Sequence, residues 1–336
     1  MTSSILVTGG AGYIGSHTVR ALHDDGRRVV TLDSLELSSA EAVGDTPLVV
    51  GDIADEALVE SVCRDHDVDA IVHFAAYKNV GESMRDPSKY FRNNVDKTVR
   101  LLDAARRAGV DRVVFSSSCS VYGTPPAVPV DESQPIQPES VYADTKAIVE
   151  RILGWYSVIH GVRSVSLRYF NAAGASADAA IGEDWAHALN LIPVAIRALL
   201  VGDQELEVFG DDYPTPDGTC IRDYIHVDDL ARAHVAAIDY LASGGETTAV
   251  NVGTGVGSSV REVLETIAAV AGRPVPHRIV ARRQGDPVST FSDTRYAEQL
   301  LGWHAERGLK EIVESAYRWH VTQLERAHAA TSGNRA

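Results

Sequence analysis

Apolar positions in the first half of the chain fall into two alternating rhythms. The short runs ILVTGG, RVVTLD, TPLVVGD, AIVHFAA and RVVFSSS have the length and β-branched content of buried strands. Between them lie stretches such as 55–65 and 87–108, where apolar residues return every three to four positions. This alternation predicts an α/β fold, a doubly wound parallel sheet with helices on both faces. From about residue 172 the rhythm loosens into AGASADAAIGEDW and GDDYPTPDGTC, loop-rich stretches suited to gripping a ligand. Helices are expected again at about 188–202, 228–242, 258–272 and 308–326. The expected plan is a first domain over 1–171 and a smaller one over 172–326, with parts returning to the first. The second would close a cleft at the carboxyl ends of the strands. Residues 327–336, small and polar without apolar period, are expected to form a disordered tail.

Composition narrows the classes. With 336 residues, 45% hydrophobic and 23% charged, the chain can bury a large core. No apolar run reaches the roughly 20 residues that span a bilayer, and MTSSILVTGG has neither the basic start nor the cleavage site of a signal peptide. A cytoplasmic protein without a membrane partner is expected. Cys63, Cys119 and Cys220 are odd in number and far apart, which suits a reducing compartment and predicts no metal. A net charge of −15 without a basic, aromatic-laced stripe argues against a nucleic-acid partner.

Candidate chemistry begins at the first strand, which runs into TGGAGYIGSH. Gly10, Gly12 and Gly15 satisfy G-x-G-x-x-G, while Gly9, Gly12 and Gly15 satisfy the related G-x-x-G-x-x-G spacing. Either set tightens a turn and lets backbone N–H groups at a helix start approach a pyrophosphate. The next strand ends in Asp33, 18 residues after Gly15, where a carboxylate accepts ribose hydroxyls and repels a 2′-phosphate. The expected cofactor is therefore NAD rather than NADP. Asp52 and Ile53 follow the third strand, and Phe74, Ala75, Ala76 and Lys78 follow the fourth, at the edge where adenine and phosphate contacts fall.

Ser116, Ser117 and Ser118 end the fifth strand; Tyr142 lies 24 residues beyond Ser118 and one helical turn before Lys146. A free tyrosine, with a pKa of about 10, is a poor base near neutrality. A neighbouring ammonium and a positively charged nicotinamide would lower that value. Lys146 can also donate to the nicotinamide ribose, and Ser118 can relay a substrate proton to Tyr142. Alone, Tyr and Lys at this spacing form an ordinary packing pair. Joined to the glycine loop, Asp33 and the serines, they suit proton removal from a hydroxyl as hydride leaves the same carbon.

TGGAGYIGSH, SSSCSVYG and Tyr-x-x-x-Lys together resemble the extended short-chain dehydrogenase/reductase superfamily. LRYFNAAGA, FGDDYPTPDGTCIRDYIHVDDLA, NVGTGVGSSV and RRQGD resemble its UDP-glucose 4-epimerase (UDP-galactose 4-epimerase) family, over about residues 4–320. The resemblance implies a Rossmann-like cofactor domain and a smaller C-terminal α/β domain binding a nucleotide sugar. It implies that Tyr13, Ile14, Asn94 and Phe170 also meet the cofactor. Asn171, Asn190 and Leu191 would line the sugar and diphosphate, and Val208 and Phe209 would border uracil. Arg222 and Arg283 would meet the diphosphate, and Asp286 the uridine ribose. Thr290 stands where the family carries a gatekeeper; being smaller than tyrosine, it leaves room for N-acetylated sugars.

The implied reaction interconverts UDP-glucose and UDP-galactose through a 4-keto sugar that turns over in the pocket, with no net redox. A homodimer through 87–108 and 138–160 is implied as well. Among other readings, a 4,6-dehydratase would need a carboxylate beside the serine, where Ser118, Cys119 and Ser120 offer none. A UDP-glucuronate enzyme and a non-catalytic NAD sensor are the remaining alternatives. One departure stands out: Asp33 is followed by SLELSS, where the family usually places asparagines against the adenosine.

Overall fold

The computed structural model describes residues 3–283 and 285–333. Six strands, β1 (Ser4–Thr8), β2 (Arg28–Asp33), β3 (Leu48–Val50), β4 (Val68–His73), β5 (Arg112–Ser116) and β6 (Arg163–Tyr169), form one parallel sheet with the strand Thr248–Val252. Their order is Thr248–Val252, β6, β5, β4, β1, β2, β3. Successive strands therefore run outward from β1 to β3, then resume on its other side at β4. That reversal opens a crevice above the carboxyl ends of β1 and β4.

Alternation of side chains along β1 feeds two cores. Ile5 and Val7 pack with Val19 and Leu22 of the helix Tyr13–Asp24, and with Leu230, Ala233 and Ile238 of Val227–Ala242. Leu6 faces the other way, with Val30, Leu32, Val59, Val62 and Leu101 under the helices Glu56–Asp65 and Lys97–Arg107. The helix Val141–His160 closes that second face over β5 through Val149 and Leu153 against Val113 and Phe115.

The remaining segments build a smaller α/β unit. Ile221–His226 pairs antiparallel with Gly257–Ser259 and parallel with Asn171–Ala173 and Ser289–Thr290. Leu206–Phe209 pairs with His277–Val280. Helices Leu191–Leu200, Val260–Ala271 and Leu309–Gly333 enclose a core of Ile192, Ile196, Val263, Ile267, Ile312 and Val313.

Two expectations need correction. The stretch 87–108 is three joined pieces, Pro87–Tyr90, a π-helical Phe91–Asp96 and Lys97–Arg107. The tail expected from residue 327 continues the last helix to Gly333, while 334–336 lie outside the described residues. Alanine-rich sequence there propagates a helix already nucleated by the docked turns before it.

Burial first, in every case, pushes four histidines down from 6.5: His73 and His320 to about 3, His226 and His234 to about 4. Their folded values lie below the unfolded ones, so the unfolded chain takes up protons first as pH falls. Their contribution is complete above 6.5 and is lost progressively toward pH 3–4, by up to about 1.4 kcal/mol per pH unit for each group. The urea midpoint is expected to drop between pH 7 and pH 5; a flat midpoint over that range would refute it.

Candidate active site

The turn after β1 is shaped by what a side chain would strike. A Cβ on Gly15 would lie 2.3 Å from the Gly9 carbonyl oxygen, so only glycine lets the helix close against the turn. A Cβ on Gly12 would meet Gly9 O at 3.3 Å and otherwise stand in open space, where a pyrophosphate would approach. Gly12 also begins the helix Tyr13–Asp24, which has no side-chain cap and no acidic residue in its first turn. Its free N–H groups and dipole suit an anion. Ile14 packs against the sheet core, while the Tyr13 hydroxyl donates to Gly174 O at 2.7 Å, tying this turn to the smaller unit.

Asp33 ends β2 and is 8% exposed. Its Oδ2 accepts from Ala11 N at 2.9 Å, and its Oδ1 from Leu35 N and Ser38 Oγ, each at 2.9 Å. Of the acceptor positions of this carboxylate, the structure itself uses three, and a ribose hydroxyl takes the rest or displaces Ser38. Asp52 accepts from Lys97 Nζ at 2.6 Å and Ala54 N at 2.9 Å. Phe74 and Ala75 follow β4 with their N–H groups on Thr8 O, Phe74 lies against His234, and Ala76 is part-buried. Lys78 does not stand free: its ammonium meets the buried carboxylate of Glu183 at 2.9 Å.

Three further residues sit differently from a simple contact set. Ile53 is packed in the core beneath the sheet edge. Phe170 is buried with Val121, Tyr122 and Ala147. Asn94 is 3% exposed, and both ends of its amide are used on Tyr77: Tyr77 N donates to Oδ1 at 2.9 Å and Nδ2 donates to Tyr77 O at 3.0 Å.

The serines, tyrosine and lysine come together at the top of β5. Ser140 caps the helix Val141–His160 by accepting from Ala143 N, which sets the phase that brings Tyr142 and Lys146 to one face. Lys146 is 3% exposed; its Nζ donates to Ser116 O at 2.7 Å and lies 4.9 Å from the Phe115 ring centre and 5.8 Å from that of Tyr142. Ser116 Oγ pairs with Tyr169 OH at 2.6 Å. Ser118 hydrogen-bonds the Tyr142 phenol and accepts from Ser120 Oγ at 2.9 Å, a short relay away from the phenol.

The sequence predicts that an ammonium and a positively charged nicotinamide together ease Tyr142 toward phenolate; among the protein's own groups, burial works against this. It pushes the phenol well above its usual value; nearby Tyr169 and Cys119 add to this, and only the Ser118 hydrogen bond opposes it. Burial likewise lowers Lys146 to about 7, against the carboxylate of Glu150. Positive charge from a ligand is thus what the site needs to release the proton.

The other wall belongs to the smaller unit. Arg222 lies 3.4 Å from Asp286, and the Arg283 guanidinium covers the Phe209 ring at 4.1 Å. Val208 is buried behind Phe209. Asn190 caps the helix starting at Leu191 without using its side chain, again leaving N–H groups for an anion. Asn171 Nδ2 donates to Asp223 O at 3.0 Å. Thr290 pairs in register with Arg222, and its buried Oγ1 has no partner. Beside Ser118, burial first and then Asp223 raise the Cys119 thiol to about 12, while Arg222 opposes. A thiol held protonated beside Ser118 acts as a small apolar filler.

The comparisons with known proteins agree with this geometry. The model of the NAD dependent epimerase/dehydratase family matches residues 5–253. A UDP-glucose 4-epimerase from Rhizobium meliloti (strain 1021) is 48% identical over 318 residues, 95% of this chain and 97% of that protein. This chain belongs to the UDP-glucose 4-epimerase family. The crystal structure of a family member from Brucella ovis in complex with NAD is 46% identical, with a TM-score of 0.92 over 94% of this chain and 98% of that one. That of the Stenotrophomonas maltophila enzyme, with bound NAD and formylated UDP-arabinopyranose, is 40% identical, with a TM-score of 0.93 over 97% and 99%. Membership of an NAD dependent family makes NAD the cofactor of this chain, and the glycine turn and Asp33 are shaped to receive it.

In this epimerase-family site one buried network went unread from the sequence. Glu150 accepts from Ser117 Oγ at 2.5 Å and forks onto Arg168, whose NH1 donates to Tyr122 OH at 2.8 Å; Tyr122 in turn donates to Asn251 Oδ1 at 2.8 Å. The only signal available was Glu150 one turn beyond Lys146.

Proposed function

We propose that this chain interconverts UDP-glucose and UDP-galactose by oxidising the sugar at C4 and reducing it again on the opposite face. The observation that carries the reading is the meeting of Ser118, Tyr142 and Lys146 at the carboxyl end of β5, with Arg222, Arg283, Asp286 and Phe209 grouped on the smaller unit. A sugar tethered by its UDP group is thereby presented to a phenol.

NAD, when bound, supplies the acceptor for the C4 hydride and the donor for its return. The protein's part is positional and protonic. Tyr142 takes the proton of the 4-hydroxyl and later returns it, and Ser118 bridges phenol and sugar oxygen. Lys146, fixed by Ser116 O, contributes positive charge and a donor beside the phenol. Arginine forks suit diphosphate oxygens, which an acidic protein must gather locally. Asp286 accepts from ribose hydroxyls, and Phe209 borders the uracil. Because the sugar is held by its distant end, the keto sugar can turn while staying bound.

Purified protein incubated with UDP-galactose and no added NAD is expected to form UDP-glucose; failure even with NAD supplied would remove this substrate pair.

Thr290 supports a wider sugar range. Its side chain is shorter than a tyrosine's, and its buried Oγ1 has no partner within the protein. Thr290→Tyr is expected to lower kcat/KM for UDP-N-acetylglucosamine by about tenfold or more, with UDP-glucose changed far less. Equal losses on both would contradict this.

The outer face of Val141–His160 exposes Trp155, Val158 and Ile159 by 66%, 79% and 64%. An apolar stripe of this kind supports a homodimer through that helix. Three unpaired cysteines suit a cytoplasmic setting.

A further inference from the structure

The loops after β2 and β4 flank the glycine turn, because β1 lies between these strands. They are joined above it by one side-chain contact: the Tyr77 hydroxyl donates to Glu36, 2.9 Å from Oε1 and 2.8 Å from Oε2. We propose that Glu36 and Tyr77 form a strap across the adenosine end of the cleft, slowing the escape of bound dinucleotide. This rests on the reading that the cleft holds NAD.

Both partners are held in place by contacts of their own loops. On the β4 side, Asn94 clamps the Tyr77 backbone by both its N–H and its carbonyl. Asn94 lies in the π-helical Phe91–Asp96, and such widened turns in otherwise α-helical runs occur most often at functional sites. The Tyr77 ring is further set against Tyr90, at 5.8 Å between ring centres, with Lys89 Nζ 4.4 Å from its centre. On the β2 side, the loop turns back through Leu35 at φ 58, a left-handed conformation that a leucine avoids. Asp33 Oδ1 holds that bend by accepting from Leu35 N, and Glu36 follows at once.

Burial first, then the Glu36 hydrogen bond, raise the Tyr77 phenol to about 12, so it remains a donor at any pH the protein meets. A dinucleotide leaving by its adenosine end must part the two residues.

The test is the release rate of NAD from intact protein, followed by dilution into alcohol dehydrogenase and ethanol, which trap freed NAD as NADH. Wild type is expected to carry NAD through purification and release it slowly. Tyr77→Phe, which keeps the ring packing, and Glu36→Ala, which removes the acceptor, are each expected to release it at least about fivefold faster. The double variant should match the single ones, since either change breaks the same contact. Rates within twofold of wild type, or singles whose effects multiply in the double, would overturn the strap. A wild type that neither carries nor binds NAD would overturn the cofactor reading, and the strap with it.

Discussion

Tyr142→Phe is expected to lower kcat by about 10²–10⁴-fold, the range for loss of a positioned acid–base group, with little change in KM. Phenylalanine keeps the ring against its neighbours and removes only the oxygen that Ser118 holds. The proton of the sugar hydroxyl then has no acceptor within the relay, because Ser118 and Ser120 are alcohols and Lys146 is directed to Ser116 O. The wild-type rate should fall on the acid side, where the phenol, brought down by the positive charge of the bound ligand, regains its proton. The variant's residual rate should lack that limb. Steady-state kinetics with NAD content verified would decide; a loss under about threefold would remove Tyr142 from proton transfer.

Glu150→Ala is expected to destabilise the fold by about 3–5 kcal/mol, the usual result of leaving one member of a buried ion pair alone. Glu150 and Arg168 have side chains only 10% and 9% exposed, so water cannot replace the lost partner. Arg168 would keep its bond to Tyr122, but its NH2 and Nε would lose Glu150, and Ser117 would lose its acceptor. Since Ser117 lies between the carbonyl that holds Lys146 and the hydroxyl that holds Tyr142, activity should fall as well. The urea midpoint measures the first effect; a midpoint unchanged from wild type would show that the pair contributes nothing net.

The parts of this site that were legible in the sequence are those written in short range. Glycines 9 and 15 are demanded by one tight turn, Gly12 leaves its outer side open, and Asp33 ends the next strand, so spacing alone located them. Tyr142 and Lys146 share a helix and Ser118 follows two residues after a strand, and their meeting follows from the parallel sheet. What escaped depends on contacts between distant segments: Lys78 finds Glu183 across 105 residues, and Asn94 turns to Tyr77 because the helix widens there. Phe170 is drawn into the small core under the catalytic helix. The burial that raises the phenol was not legible for a related reason. A neighbouring ammonium can be counted from spacing, but desolvation is a property of the whole fold.

The central claim is that hydride leaves C4 and returns to C4 within one protein-bound cycle. Turnover of UDP-galactose carrying deuterium at C4, with no added NAD, tests it most directly. The account predicts UDP-glucose that retains the deuterium at C4, and no label entering from D₂O when unlabelled substrate is used. Loss of the label to solvent would contradict it, since that would mean C4 gives up a proton rather than a hydride.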